Sequence, residues 1–574
     1  MNVNMNLPLS EYPRPQMKRD SYLCLNGQWN LQFISDGISS GNSGEKEAKT
    51  YSILVPYSPE CVYSGVQRTL QAHETMKYSR HVTFSEPVDF KKEKLLLHFG
   101  AVDYRALVYI NGKQVFEHIG GYLPFELEVS SCDFDLDVLV QDPSDTKEIS
   151  RGKQSSEPGG IWYPQTSGIW QTVWMEKVPL SYIKSYKIVP DLQGFYLTVL
   201  MNDDTACPCS LKLLGKEYKF QAGTTFRVNI PKAHCWTPED PYLYVFDLTA
   251  KGGTSAEETY EDKIQGYVGL RTFGVGKDKN SNKVLLLNGK PYFHHGLLDQ
   301  GYYKGGFYTP KSDEDFINDI QTMKALGFNT LRKHIKIEPL RWYYHCDRLG
   351  MLVWQDMVSG GGKYKASTVT APLFFGSHLK DNQYEKFARL DEKERQVWEQ
   401  EAYGTVEHLF NVVSLAMWVP FNEGWGQFDS ARIVQNIKAL DNSRTIDHAS
   451  GWQDQGIGDF KSLHVYFRPY RFHKDRLGRC VILTEFGGYG YDTNTTKKKS
   501  FIYKKLSSKL ELTQAIVKLY EKQIIPAKRK GLAAAIYTQV SDVEQETNGL
   551  LTYDRKELKV LLKPILEVSK KLLS

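Results

Sequence analysis

From residue 20 to residue 178 the chain runs in short segments whose apolar positions alternate with polar ones: Gly27-Gln28-Trp29-Asn30-Leu31-Gln32-Phe33, Leu95 to Phe99, and Ala106-Leu107-Val108-Tyr109-Ile110. The last segment meets Asn111-Gly112, a pair suited to the tight turn whose central residues both need positive φ. Period-two alternation bounded by such turns predicts antiparallel hairpins with one buried face, packed as a β-sandwich. Residues 1–178 are therefore the expected first domain. Residues 179–276 repeat the pattern, with strands expected over Ile183 to Val189, Phe195 to Met201, Ser210 to Leu214 and Leu243 to Leu248. An immunoglobulin-like sandwich of about 100 residues suits this second stretch.

Beyond residue 283 strand-length apolar runs alternate with helical ones. Lys290 to Leu298 reads as a strand, Ser312 to Leu326 as a helix opened by a Ser cap and stopped by Gly327, Asn329 to His334 as a strand, and Glu338 to Leu349 as a helix stopped by Gly350. Met351 to Met357 is the third strand, and a charged, helix-rich stretch from Gln383 to Leu409 leads to the fourth, Val412 to Trp418. After a helix over Ser430 to Leu440 come four more strands, Thr445 to Ala449, Ser462 to Tyr466, Val481 to Glu485 and Gly531 to Gln539. Strands joined by helical crossovers form parallel sheets, and eight in succession predict a closed (β/α)₈ barrel over 277–574.

Composition narrows the partners. The 72 basic and 67 acidic residues leave a charge of only +5 on 574 residues, too thin to predict a nucleic-acid or membrane partner. The opening Met1-Asn-Val-Asn-Met-Asn-Leu-Pro-Leu-Ser-Glu11 carries no basic and apolar targeting pattern, so a cytoplasmic location is expected. The eight cysteines have irregular spacing and read as free thiols, and the single residue within Cys207-Pro-Cys209 is too short a spacing for a structural zinc site with His234-Cys235. No metal or cofactor is expected, and a homo-oligomer is compatible with the sequence. Aromatic residues reach 13%, with 35 Tyr and 11 Trp. Such rings fill sandwich cores, and they also stack on sugar faces.

Functional groups of a (β/α)₈ barrel come from the C-terminal strand ends. The fourth strand ends in Asn422-Glu423-Gly-Trp425 and the seventh in Thr484-Glu485-Phe-Gly487-Gly488. One Glu at a rim is ordinarily a paired surface group. Two at the ends of buried strands can meet the needs of β-glycoside hydrolysis with retention, where a nucleophile and an acid/base stand about 5 Å apart.

Together with Arg14-Pro15-Gln16, Ser21 to Trp29, Gly160-Ile-Trp162-Tyr163 and Thr166-Ser-Gly168-Ile-Trp170-Gln-Thr-Val-Trp174, these motifs give a chain that resembles glycoside hydrolase family 2 over nearly its whole length. The resemblance implies a jelly-roll first sandwich, a hydrolytic enzyme and a glycoside or oligosaccharide substrate. It makes Glu423 the general acid/base, Asn422 a contact of the sugar 2-hydroxyl, Glu485 the nucleophile and Tyr466, in His464-Val465-Tyr466, a hydrogen-bond donor to it. Arg332-Lys333-His334 matches the family's Arg motif, with Arg332 keeping Glu485 ionised and His334 a sugar contact. Asp299, Trp354, Asp356, Trp452 and Tyr537 complete the expected pocket. The β-glucuronidases of the family carry an Asn-x-Lys pair where this chain has Glu546-Thr547-Asn548. With Glu544 and Glu546 in that place a neutral sugar is expected, as in a β-galactosidase, unless another cation (Lys363, Lys365 or Arg468) receives a carboxylate. The alternatives are a β-glucuronidase, another glycosidase of the family, or a carbohydrate-binding protein on an inactive barrel.

Overall fold

The computed structural model describes residues 7–35, 49–253, 259–376, 378–492 and 500–574, so the first six residues of the opening segment lie outside it. The first sandwich pairs a six-stranded sheet with a four-stranded one. The larger runs in the spatial order Thr50–Val55, Gly27–Ser35, Glu74–Thr83, Asp133–Gln141, Arg105–Ile110 and Lys113–Ile119. In the smaller sheet Val173–Pro179 lies between Leu23–Cys24 and Glu93–Phe99, and Phe125–Val129 forms the far edge. The alternating residues do what their period requires: Trp29, Leu31, Leu95, Leu97 and Val138 meet in one core between the sheets. Asn111, at φ 48°, and Gly112, at φ 76°, make the expected tight turn.

The second sandwich has seven strands, three facing four, around Phe195, Leu197, Leu211 and Leu248. Cys207 and Cys209 are packed in that core as free thiols, while His234 turns outward to Asp240 at 2.6 Å.

The barrel strands are His294–Asp299 (β1), Thr330–Lys333 (β2), Leu352–Asp356 (β3), Leu415–Val419 (β4), Thr445–Ile446 (β5), Phe460–Val465 (β6), Cys480–Gly487 (β7) and Leu532–Thr538 (β8). They pair in sequence order, and β8 returns to β1. Backbone pairing is absent at one seam, between β5 and β6. Helix Asp313–Ala325 starts at the Ser312 capping box, and the helix Leu340–Leu349 ends at Gly350 in the left-handed conformation, φ 75°. Only Glu392–His408 of the charged stretch is a long helix, capped by the Asp391 carboxylate, which accepts from the Lys393 and Glu394 amides.

The expected first barrel strand needs correction at its start. Asn288 and Gly289, both at positive φ, fold Lys290–Pro291 back on Lys283–Leu287, and that strand also pairs with Phe273–Lys277. This three-stranded hairpin floors the barrel, with Leu285 in the same core as Phe460 and Ile482. Barrel-wall residues divide between two cores. Leu298, Trp354, Met417, Ile482 and Ile536 fill the interior, whereas Leu297, Val353, Trp418, Leu483 and Tyr537 face the surrounding helices. No helix among the described residues is long and apolar enough to cross a membrane.

Candidate active site

The barrel interior ends in a buried polar cluster at the C-terminal strand ends. After β4 the chain forms a two-residue strand, Phe421–Asn422, parallel to Ala449–Ser450. Glu423 then takes a left-handed conformation, φ 51°, that a non-glycine residue holds only when its surroundings fix it. Two contacts do so: its amide donates to the Ser450 carbonyl at 2.9 Å, and its carbonyl accepts from Trp452 Nε1 at 2.8 Å. The turn aims the Glu423 side chain back over the barrel mouth, towards the end of β7.

There an oxygen of Glu423, a nitrogen of His464 and an oxygen of Glu485 all lie within 4.8 Å of one another. His464 Nδ1 is 2.7 Å from Glu423 Oε1, and its Nε2 is 2.9 Å from Ser450 Oγ and 3.6 Å from Glu485 Oε1. The Tyr466 hydroxyl donates to Glu485 Oε2, and the Tyr466 ring stacks on Tyr503 with centroids 3.8 Å apart. Arg332 Nη1 donates to Glu485 Oε1 at 3.1 Å.

Arg332, fully buried, organises the floor. Its Nε and Nη2 grip Asp356 at 3.0 and 2.9 Å, and Nη2 also donates to Asn422 Oδ1 at 2.8 Å. Asp356 in turn meets His334 Nδ1 at 2.7 Å, which leaves the other ring nitrogen as the one able to meet a ligand. Asn422 is held by its oxygen, and its buried Nδ2 has no acceptor among the described residues. A buried donor without a partner costs about 1–3 kcal/mol, a cost that a ligand oxygen placed there removes.

The electrostatics separate the two glutamates. Burial raises the Glu423 pKa, and the negative charge of Glu485 adds to this against the lowering bond from His464. Burial would raise Glu485 as well, but His464, the Arg332 guanidinium and the Tyr466 hydroxyl outweigh it and bring its pKa below the usual carboxylate value. One carboxyl thus favours its protonated form and its neighbour the anion. Burial, then the nearby charge of Lys153, holds His334 neutral. Glu423, His464 and Glu485 are also the set of donors that could hold a metal ion among the described residues, but Arg332 at 3.1 Å from Glu485 makes the spot unfavourable for another cation.

The structure thus brings together Glu423, Glu485, Asn422, Tyr466, His464, His334, Arg332 and Asp356, with Trp452 edge-on to His464 at 5.6 Å. Three expected pocket residues lie elsewhere. Tyr537 points from β8 into the helical layer, where its ring packs edge-on against Phe486 and its hydroxyl accepts from the Tyr489 amide at 3.1 Å. Trp354 is inside the barrel but fully buried below the cluster, donating to His294 Nδ1 at 2.8 Å. Asp299 also faces outward, paired with Lys333 at 2.8 Å.

A further wall comes from the first sandwich and escapes sequence reasoning about strand ends. Its segment 150–163 lies along the barrel mouth: the Gly152 amide donates to the Ser359 carbonyl at 2.9 Å, and the Gly160 amide to Gln545 Oε1 at 3.3 Å. Trp162 meets Trp425 at 5.4 Å and Tyr364 at 5.9 Å, and Trp425 lies 5.8 Å from His334. Lys153 stands in the same wall, whereas Lys363, Lys365 and Arg468 are exposed and Lys365 pairs with Glu385. The signal available in the sequence was the Gly160-Ile-Trp162-Tyr163 motif, which carried the family resemblance but no role.

Comparison with known proteins agrees with this architecture. Residues 279–559 match the family model described as glycosyl hydrolases family 2, TIM barrel domain. A β-glucuronidase of Rattus norvegicus is 24% identical over 399 residues, 62% of this chain and 56% of its own length, so the chain spans a little over half of that relative. A β-galactosidase of Thermoanaerobacter pseudethanolicus is 27% identical over 310 residues, 49% of this chain and 39% of that protein. A solved structure of a β-D-glucuronidase from Dictyoglomus thermophilum shares the fold at a TM-score of 0.73, with 17% identity, over 98% of both chains. Motif order, barrel match and whole-chain fold agree, and the barrel of this chain, over residues 279–559, belongs to glycoside hydrolase family 2.

Proposed function

We propose that the protein is a retaining exo-β-glycosidase that removes terminal neutral sugars, with β-galactosides as the first substrates to try. The observation that carries this reading is the separation of the two carboxyls, with an oxygen of each within 4.8 Å of the other, and their pKa values moved in opposite directions. Retaining enzymes hold these groups about 5–5.5 Å apart, whereas inverting enzymes leave about 6.5–9.5 Å for a water. In the first step a Glu485 oxygen forms a bond to the anomeric carbon as the glycosidic bond breaks, and Glu423 gives its proton to the leaving oxygen. In the second, Glu423 takes a proton from water, whose oxygen replaces Glu485 at the anomeric carbon. Asn422 Nδ2, with no acceptor among the described residues, suits the 2-hydroxyl, a contact that strengthens as positive charge grows on the ring. The names of the relatives favour a second reading, a β-glucuronidase, and the buried Lys153 is the observation on its side.

A panel of aryl β-glycosides tests the activity. Proton NMR of the first-formed sugar tests the geometry, since double displacement must release the β-anomer from a β-glycoside. Initial release of the α-anomer would reject the covalent route.

A further inference from the structure

Lys153 is 6% exposed and belongs to a turn of the first sandwich far from the barrel in sequence, yet its ammonium stands in the wall over Trp425, near enough for its charge to act on Glu423. Its Nζ lies 5.9 Å over the Trp425 ring, 5.3 Å over the Tyr163 ring and 3.7 Å from Glu546 Oε2. Glu546, 1% exposed, is itself fixed from two sides: Oε2 accepts from the Tyr163 hydroxyl, and Oε1 from Asn548 Nδ2 at 3.1 Å. The backbone holds the lysine equally firmly, since the Tyr163 amide donates to the Lys153 carbonyl at 2.9 Å. At 3.7 Å ammonium and carboxylate attract each other but are too far apart for a good direct hydrogen bond.

We propose that Lys153 and Glu546 form a hydroxyl-reading pair, through which the first sandwich takes part in binding the terminal sugar and the pocket selects neutral sugars over uronic acids. The proposal rests on the glycosidase reading above and deepens it by naming the residues that set its substrate class. A sugar hydroxyl placed between the two groups accepts from the ammonium and donates to the carboxylate, which satisfies both at once. The pair is electrically neutral, so it offers no net charge to a sugar carboxylate. A uronic acid would bring its own anion against Glu546 in a desolvated wall. The cation that makes a glucuronidase reading attractive is thus already balanced.

The test compares wild type, Lys153→Met and Glu546→Gln on an aryl β-hexoside, its 3-, 4- and 6-deoxy analogues and the matching hexuronide, with thermal melts to establish folding. A site built to bond a hydroxyl rejects the analogue lacking it strongly, so one deoxy sugar should lose about 10²-fold in kcat/KM with wild type. In Lys153→Met that penalty should shrink to a few-fold, because the two changes remove the same contact and do not add. Glu546→Gln keeps the size and one of the two acceptors, and the Asn548 amide can turn its unpartnered Oδ1 to the new donor; the change leaves the lysine charge unbalanced, and the uronide-to-hexoside ratio should rise about tenfold or more. Should Lys153→Met not fold, that ratio carries the test alone. An active wild type whose deoxy penalties are the same in Lys153→Met, or whose uronide ratio does not move in Glu546→Gln, overturns the pair and leaves the glycosidase reading standing. A folded wild type inactive on every glycoside overturns both.

Discussion

Glu485→Gln should abolish hydrolysis of every glycoside the protein accepts, with kcat falling by at least about 10⁴-fold, because an amide cannot form the covalent intermediate. The substitution is nearly isosteric, so Arg332 and Tyr466 keep a hydrogen-bonding neighbour and the melting temperature should change little. Glu423→Gln makes the informative contrast. A dinitrophenolate leaves without a proton, so dinitrophenyl glycosides should still react with Glu485 and accumulate the glycosyl-enzyme, visible by mass spectrometry as one added sugar. Added azide, a nucleophile that needs no general base, should restore turnover in this variant and not in Glu485→Gln. Full activity of Glu485→Gln, or azide rescue of it in preference to Glu423→Gln, would reverse or remove the assignment.

The second large effect is expected at Arg332. Its guanidinium serves Asp356, Glu485, Asn422 and the Thr484 carbonyl at once, and no part of it reaches solvent. Arg332→Met would leave Asp356 and Glu485 buried without their shared cation, and breaking a buried ion pair from one side costs about 3–5 kcal/mol. The kinetic consequence has a definite sign. In the proposed mechanism Glu485 acts as the anion, and Arg332 is among the groups that hold its pKa below the usual carboxylate value. Without that cation the pKa rises, so the acidic limb of the kcat/KM profile must move to higher pH, and the maximum should fall by roughly 10²-fold or more. Arg332→Lys keeps a charge but cannot grip Asp356 through two nitrogens, and should lie between the two. Melting curves with pH profiles check the prediction; an acidic limb that stays in place would show that Arg332 only supports the fold.

Which residues were legible follows from the strands that bear them. β4 and β7 are continuous apolar runs, so a Glu at the end of either stands out, and the two catalytic candidates could be named from sequence. Facing is harder to read, because a barrel strand is covered on both sides and its inner and outer residues are alike in hydrophobicity. Arg332 and His334 face inward while Lys333 between them turns outward to Asp299, and nothing in the residue types declares this. The same ambiguity misplaced Tyr537 and Asp299, and Trp354 has the right face but the wrong depth. Lys153 was out of reach for another reason: its neighbours are brought to it by the packing of one sandwich loop on the barrel, and no local pattern encodes that contact.

The seam between β5 and β6 bears on how the protein fails when heated. Elsewhere around the ring the strands are joined by backbone pairing, but here side chains bridge the interval: Asp447 to Ser462 at 2.7 Å, Ser462 to Thr484 at 2.8 Å, Thr484 to Ser450 at 2.8 Å, and Ser450 to His464 at 2.9 Å. Two of these bonds cross the seam directly and the other two run through Thr484 of β7; they resist opening less than a continuous ladder, and regions held this way unfold locally before the molecule does. His464, which positions Glu423, hangs from the last of them. Inactivation on warming should therefore run ahead of the global melt, with the amides of 445–465 the first in the barrel to exchange with deuterated solvent, and cooling before the rest unfolds should restore activity.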